Sequence, residues 1–311
     1  MTEKIAIIDL GTNTFHLLIA ENKGEGFQIL LRDRIAVKIG KGGILKKTIS
    51  SAGYNRALVA LQSFKNTMDH HQIKKTFAFG TSALRNAENA NEIIEKIKKI
   101  TGIEVQIISG EKEAEFIYYG VQSALHLELN PSLIVDIGGG SVEFIIANHL
   151  KVFWKKSLEI GAQRLLEKFQ QHDPMTAQER VALLAYLKTQ LTPVFEALKQ
   201  HKPTVLVGSS GTFDTLSDIF CLTHNLPKFQ EETETPLSIP GFYEIHHTML
   251  EKNREERMRI PGMIEMRVDM IVVASCLIQT LLDNYEFNGI RVSTYSLKEG
   301  VLAWLAQEIS V

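Results

Sequence analysis

The sequence predicts an α/β protein of two domains, each a mixed sheet with helices packed on its faces. Three observations carry that expectation. One pattern of strand, Asp, Gly-rich turn and strand occurs twice, as Asp9-Leu10-Gly11-Thr12-Asn13-Thr14 running into residues 15–20, and as Asp136-Ile137-Gly138-Gly139-Gly140-Ser141 running into residues 142–147. Strand-like and helix-period runs alternate along the rest of the chain. At 311 residues the chain also exceeds what one small core needs.

Ahead of each Gly-rich turn lies a short apolar run, residues 5–8 and 133–135, as expected of a strand buried on both faces. Residues 27–39 read as a further strand, 52–70 as a helix, 76–79 as a strand, and Thr81 and Ser82 as the start of a short helix carrying Arg85. A helix at 90–100 and a strand at 104–108 follow. Ser109 is placed to cap the next helix, whose first turn holds the acids that a helix dipole favours. On a helical wheel Glu113 shares a face with Ile117, Val121 and Ala124, so it points inward, whereas Glu115 falls on a wetter face.

Residues 127–131 link to the second copy, with strands at 142 and 152 and helices at 162–170 and 176–199. A strand at 204–207 ends in Gly208-Ser209-Ser210-Gly211-Thr212 before a helix, a third turn of the kind that suits phosphate. Prolines and several acids mark 227–240 as a surface loop, and 254–259 is strongly charged. A long apolar helix is expected at 266–282, a strand at 290–293 and a terminal helix after it.

Lys and Arg total 34 against 36 Asp and Glu, a net charge of −2, so no global field draws in nucleic acid or a membrane surface. Cys221 and Cys276 offer neither a disulfide framework nor metal-ligand spacing. No signal-peptide core or membrane-spanning run is present, which leads to the expectation of a cytoplasmic protein. His70-His71 and His246-His247 have no matching acids and read as surface residues. His16 occupies the slot that Glu143 fills in the other copy and reads as structural or substrate-facing.

The doubled hairpin with a later Gly-Ser-Ser-Gly-Thr turn resembles the superfamily of actin, chaperone ATPases and sugar kinases. Residues 9–16, Thr81-Ser82-Ala83-Leu84-Arg85, residues 108–114, residues 136–143, Ser157-Leu158-Glu159-Ile160-Gly161 and residues 296–300 narrow this. Together they resemble the exopolyphosphatase and guanosine pentaphosphate phosphohydrolase family. The resemblance implies two actin-like (ribonuclease H-like) domains with a cleft between them. It places the first at 1–126, completed by a C-terminal helix at 298–311, and the second at 127–297.

It further implies Mg²⁺-dependent hydrolysis of a terminal phosphoanhydride, with Glu113 as base and Asp136 and Glu143 as metal ligands that Asp9 joins. Arg85 would grip the polyphosphate. The backbones of Gly11, Thr12, Asn13, Thr14, Gly138, Gly139, Gly140, Ser141, Gly208, Ser209, Ser210, Gly211 and Thr212 would cradle it. A monovalent cation such as K⁺ is compatible with such a site, and a homodimer with such a chain. Lys112 stands where many relatives have a second Glu, and the acid that matches the base is retained. Longer relatives carry an additional helical C-terminal region that helps hold extended polymer, so short polyphosphate is the expected substrate. Guanosine pentaphosphate, and with it the stringent response, is the alternative. An ATP-binding kinase or ATPase and a non-catalytic polyphosphate or alarmone sensor are the other readings. An acid aimed at a polyanion argues against the sensor, because binding alone gains nothing from it.

Overall fold

The computed structural model describes residues 3–24, 26–229 and 231–309. Residues 1–2, 25, 230 and 310–311, which the expected domains, the loop at 227–240 and the closing helix reach, lie outside the described residues. The chain divides into two compact units, Met1–Gly120 with Leu297–Val311, and Val121–Ser296.

The first unit runs β1 (Lys4–Leu10), β2 (Thr14–Asn22), β3 (Phe27–Ala36), α1 (Ser51–His70), β4 (Lys75–Gly80), α2 (Ser82–Asn86), α3 (Ala90–Thr101), β5 (Val105–Ile107) and α4 (Gly110–Ala124), whose last four residues fall in the second unit. Its five-stranded sheet has the order β3-β2-β1-β4-β5. The β1–β2 and β2–β3 pairs are antiparallel, while β4 runs parallel to β1 and β5 parallel to β4. Apolar residues 5–8 make β1 a buried central strand, whereas β3 alternates between partly buried and exposed residues, as suits a sheet edge. Ser50 caps α1 by accepting from the Gly53 N–H, and Ser109 caps α4 by accepting from the Lys112 N–H at 3.1 Å.

The second unit continues with β6 (Ser132–Ile137), β7 (Val142–Ala147), β8 (Val152–Leu158), α5 (Ala162–Phe169), α6 (Ala177–Gln190), α7 (Thr192–His201), β9 (Val205–Ser209) and α8 (Ser210–Thr223). After these come β10 (Glu234–Leu237), α9 (Ile239–Glu251), α10 (Arg254–Met258), α11 (Ile271–Asn284) and β11 (Ile290–Ser293). Its six-stranded sheet has the order β10-β11-β9-β6-β7-β8. Read from β8, the series β8-β7-β6-β9-β11 repeats the strand directions of β3-β2-β1-β4-β5, with β10 added at the edge. The duplication therefore extends from the hairpin motif to the whole sheet. Leu17, Phe64 and Ile97 belong to the core of the first unit, and Phe144, Phe213 and Leu277 to that of the second.

The chain ends in α12 (Leu297–Ile309), which packs within the first unit. A Cβ on Gly300 would stand 1.6 Å from the Phe116 carbonyl oxygen, so α12 meets α4 at a contact only glycine permits. Lys112 lies over the Phe116 and Trp304 rings at 4.6 and 5.2 Å, fastening the same two helices. No helix among the described residues is long and apolar enough to cross a membrane.

Several local expectations are corrected. The helix expected at 176–199 is two, α6 and α7, because Pro193 has no N–H to continue a helix and instead serves in the first turn of α7. The apolar helix expected from 266 begins at Ile271, after a series of turns. The loop expected at 227–240 contains β10, and its last proline, Pro240, opens α9 behind the Ser238 cap. His246 is not at the surface: it is 0% exposed, with Nδ1 2.9 Å from Ser275 Oγ and Nε2 3.0 Å from Gln279 Oε1, while its neighbour His247 is exposed. Arg257, inside the charged run, is buried and donates to Asp173 Oδ1 at 2.7 Å.

Candidate active site

In the second unit, Ser209, Asp136, Glu143 and Ser157 stand in register across β9, β6, β7 and β8. Registered neighbours on adjacent strands point to one face, with Cβ atoms about 5 Å apart. The result is a row of hydroxyl, carboxylate, carboxylate, hydroxyl. Asp136 is 6% exposed and Glu143 is 1% exposed. Ser209 Oγ donates to Asp136 Oδ2 at 3.1 Å, and Ser157 Oγ donates to Glu143 Oε1 at 2.7 Å. Two adjacent buried carboxylates repel each other and lose hydration, so the pair favours a cation between them.

Among the described residues no group of three or more His, Cys, Asp or Glu side chains is arranged to hold an ion. Mg²⁺ needs no such cage, because it keeps several waters and takes one or two carboxylates plus phosphate oxygens. The donor set of this row fits that ion. The equivalent row of the first unit does not: across β3, β2, β1 and β4 it reads Arg34, His16, Asp9, Phe79. Asp9 is flanked there by an imidazole and a phenyl ring rather than by a second acid.

The two Gly-rich hairpins are built alike. A Cβ on Gly11 would lie 2.8 Å from the Thr14 carbonyl oxygen, and one on Gly138 would lie 3.0 Å from that of Ser141. In the second unit the N–H groups of Ala162, Gln163 and Gly161 take the carbonyls of Gly138, Gly139 and Gly140 at 2.9, 2.8 and 3.1 Å. Arg164 Nε adds a 2.8 Å bond to the Gly140 carbonyl. In a trans peptide the N–H points opposite to its C=O. The N–H groups of Gly139, Gly140 and Ser141 are thus turned together to the other side of the turn, the geometry of an anion nest. In the first unit the Thr12 and Asn13 carbonyls are taken by Gly40 and by Val37 and Lys38, which turns the N–H groups of Asn13 and Thr14 outward in the same way.

Glu113 lies in the first turn of α4 and is 8% exposed, as its helical phase requires. Arg85, on the short helix α2, donates from Nη1 to Glu113 Oε2 at 2.8 Å and to the Ile108 carbonyl at 3.2 Å. The fold therefore brings these two expected site residues into direct contact within the first unit.

The third turn places Ser210 at φ +73°, in the left-handed region, at the start of α8. A Cβ on Gly208 would meet the Phe213 ring at 2.1 Å. One on Gly211 would meet Arg267 Nη2 at 2.1 Å, so a guanidinium lies against this turn beside a helix N-terminus. Cation and helix dipole both favour an anion there. Sequence reasoning assigned Arg267 no role. The one available signal was a lone arginine inside a run read as an apolar helix. Ser157, Gly161 and Arg164, which brace Glu143 and the second hairpin, were likewise given none.

The sequence profile of the Ppx/GppA phosphatase family matches residues 18–308. The crystal structure of an exopolyphosphatase from Cytophaga hutchinsonii is 44% identical, with a TM-score of 0.96 and coverage of 98% of both chains. That of the Aquifex aeolicus Ppx/GppA family member is 26% identical, with a TM-score of 0.80 and coverage of 100% of both. A curated relative, the guanosine-5'-triphosphate,3'-diphosphate pyrophosphatase of Pseudoalteromonas translucida, is 27% identical over 304 residues. Those residues are 98% of this chain and 59% of that relative, so the chain spans under two thirds of its length.

Proposed function

Because the chain belongs to the Ppx/GppA phosphatase family, we propose that it hydrolyses the terminal phosphoanhydride of inorganic polyphosphate with the help of Mg²⁺. The observation that carries this reading is the buried Glu113 carboxylate held at 2.8 Å by Arg85. A buried carboxylate oriented by a guanidinium can orient an attacking water and accept its proton. Phosphoryl transfer asks the protein for little else than position and charge neutralisation. Similarity to the Cytophaga hutchinsonii exopolyphosphatase supports the choice of substrate.

In this reading Glu113 orients the water and takes its proton, while the Arg85 guanidinium fixes the rotamer of Glu113 and steers phosphate oxygens toward it. Within each unit the outward N–H groups of its Gly-rich hairpin bind anionic oxygens, and in the second unit the third turn with Arg267 does so too. Asp136 and Glu143 would hold Mg²⁺. When bound, the ion supplies positive charge for the phosphate oxygens of the breaking bond.

Phosphate release from polyphosphates of defined length and from guanosine pentaphosphate, with and without Mg²⁺, tests the proposal. Mg²⁺-dependent release from polyphosphate supports it. Release from the guanosine nucleotide alone would favour the second reading, to which the curated Pseudoalteromonas relative lends weight. No release from either, with tight adenine nucleotide binding in a calorimeter, would point to a kinase-like ATPase.

A further inference from the structure

The four-strand row of the second unit carries one inference more. Its two carboxylates are bracketed: Ser157 on β8 donates to Glu143, and Ser209 on β9 donates to Asp136. Ser209 is fully buried, and its one hydroxyl proton has a second acceptor in the Tyr295 carbonyl, also at 3.1 Å. At the same level in the first unit the flanking positions are Arg34 and Phe79, neither of which carries a hydroxyl. The hydroxyls thus appear at the level where two acids adjoin and not at the level where one does.

We infer that Ser157 is a positioning residue for the divalent cation, and Ser209 its counterpart on Asp136. A Glu side chain reaches an ion through three torsions. A hydroxyl bond to Oε1 removes most of that freedom and leaves the carboxylate presented toward its neighbour. The hydroxyl also offsets part of the repulsion between the acids before an ion arrives, because it donates to the charged form. Asp136 is reached from the opposite side, so the pair is held from both ends. This inference rests on the assignment of Asp136 and Glu143 as metal ligands.

Titration with Mn²⁺ alone, followed by the electron paramagnetic resonance signal of the free ion and repeated with Mg²⁺ as competitor, tests it on the full chain. Wild type, Ser157→Ala, Ser157→Thr and Ser209→Ala are compared, with thermal melts confirming that each is folded. Loss of one outer-sphere hydrogen bond weakens metal affinity by about 10- to 100-fold, so Ser157→Ala should bind at least roughly 10-fold more weakly. Ser157→Thr, which keeps the hydroxyl, should stay within about 3-fold of wild type by the same reasoning. Equal affinity in Ser157→Ala and wild type overturns the role of Ser157 and leaves the metal assignment standing, as does a Ser157→Thr variant as weak as Ser157→Ala. A wild-type protein that binds no Mn²⁺ overturns the metal assignment and this inference with it.

Discussion

Arg85 Nη1 donates to Glu113 Oε2 at 2.8 Å, linking a short helix after β4 to the first turn of α4. Both side chains are largely buried, so the pair is shielded from the screening that makes exposed ion pairs weak. Replacing Glu113 by Gln keeps the shape and removes the proton acceptor. Turnover should fall about 100- to 10,000-fold, the usual worth of a general base. Polyphosphate binding, read by filter retention, should be intact or tighter, since a negative charge has gone. Unchanged turnover would rule out Glu113 as the base.

Arg85 acts on the same carboxylate. Arg85→Ala should lower kcat at least roughly 10-fold, and added guanidinium should restore part of it, because the small cation can occupy the vacated position beside Glu113. Arg85→Lys, which cannot form the planar fork, should rescue less than the wild-type side chain gives. An Arg85→Ala enzyme with normal kcat would show that the base needs no such partner.

Gly161 is where α5 meets the second Gly-rich hairpin. A Cβ there would lie 2.4 Å from backbone carbons of Gly139 and Gly140, and neither can yield without moving the turn. Gly161→Ala should therefore disturb the nest and raise KM for polyphosphate about 10-fold or more, equivalent to about 1.4 kcal/mol. A normal KM would mean that these N–H groups do not bind substrate.

Gly300 tests the seat of the last helix. Gly300→Ala sets a methyl 1.6 Å from the Phe116 carbonyl oxygen, so α12 must shift from α4. Overpacking of this kind costs about 3 kcal/mol, which urea unfolding would register as a lower midpoint.

His246 gives the protein an acid-sensitive core. Burial first, and the Arg180 charge second, push its pKa down to about 4; Gln279 and Asp283 act in the opposite direction and His247 with Arg180. Above pH 6.5 the imidazole is neutral in both states and contributes no pH dependence. Below it the unfolded chain takes up a proton that the folded chain refuses, so stability falls as pH drops toward about 4. At about 1.4 kcal/mol per pH unit, this group removes roughly 2 kcal/mol by pH 5. Urea unfolding of wild type and His246→Gln at pH 7 and 5 should show a shallower loss in the variant.

The doubled hairpin, the two-sheet α/β architecture and the inward phase of Glu113 were legible because each rests on a local period or a local turn. Glu113 at position four of its helix is fixed by 3.6 residues per turn once Ser109 marks the start. Where composition stood in for geometry, the reading slipped: Pro193 and Pro240 mark helix starts rather than a helix interior and a loop, and His246 lies beneath α11 rather than in water.

By itself the chain dictated which residues are strands, turns and acids, because backbone sterics and apolar periodicity act over a few neighbours. Only the tertiary structure decided that Ser209, Asp136, Glu143 and Ser157 form one row, that Arg85 grips Glu113, and that Arg267 covers Gly211. Strand register and helix packing join positions far apart in the chain, 73 residues for Ser209 and Asp136 and 184 for Phe116 and Gly300, and no local pattern encodes such a meeting.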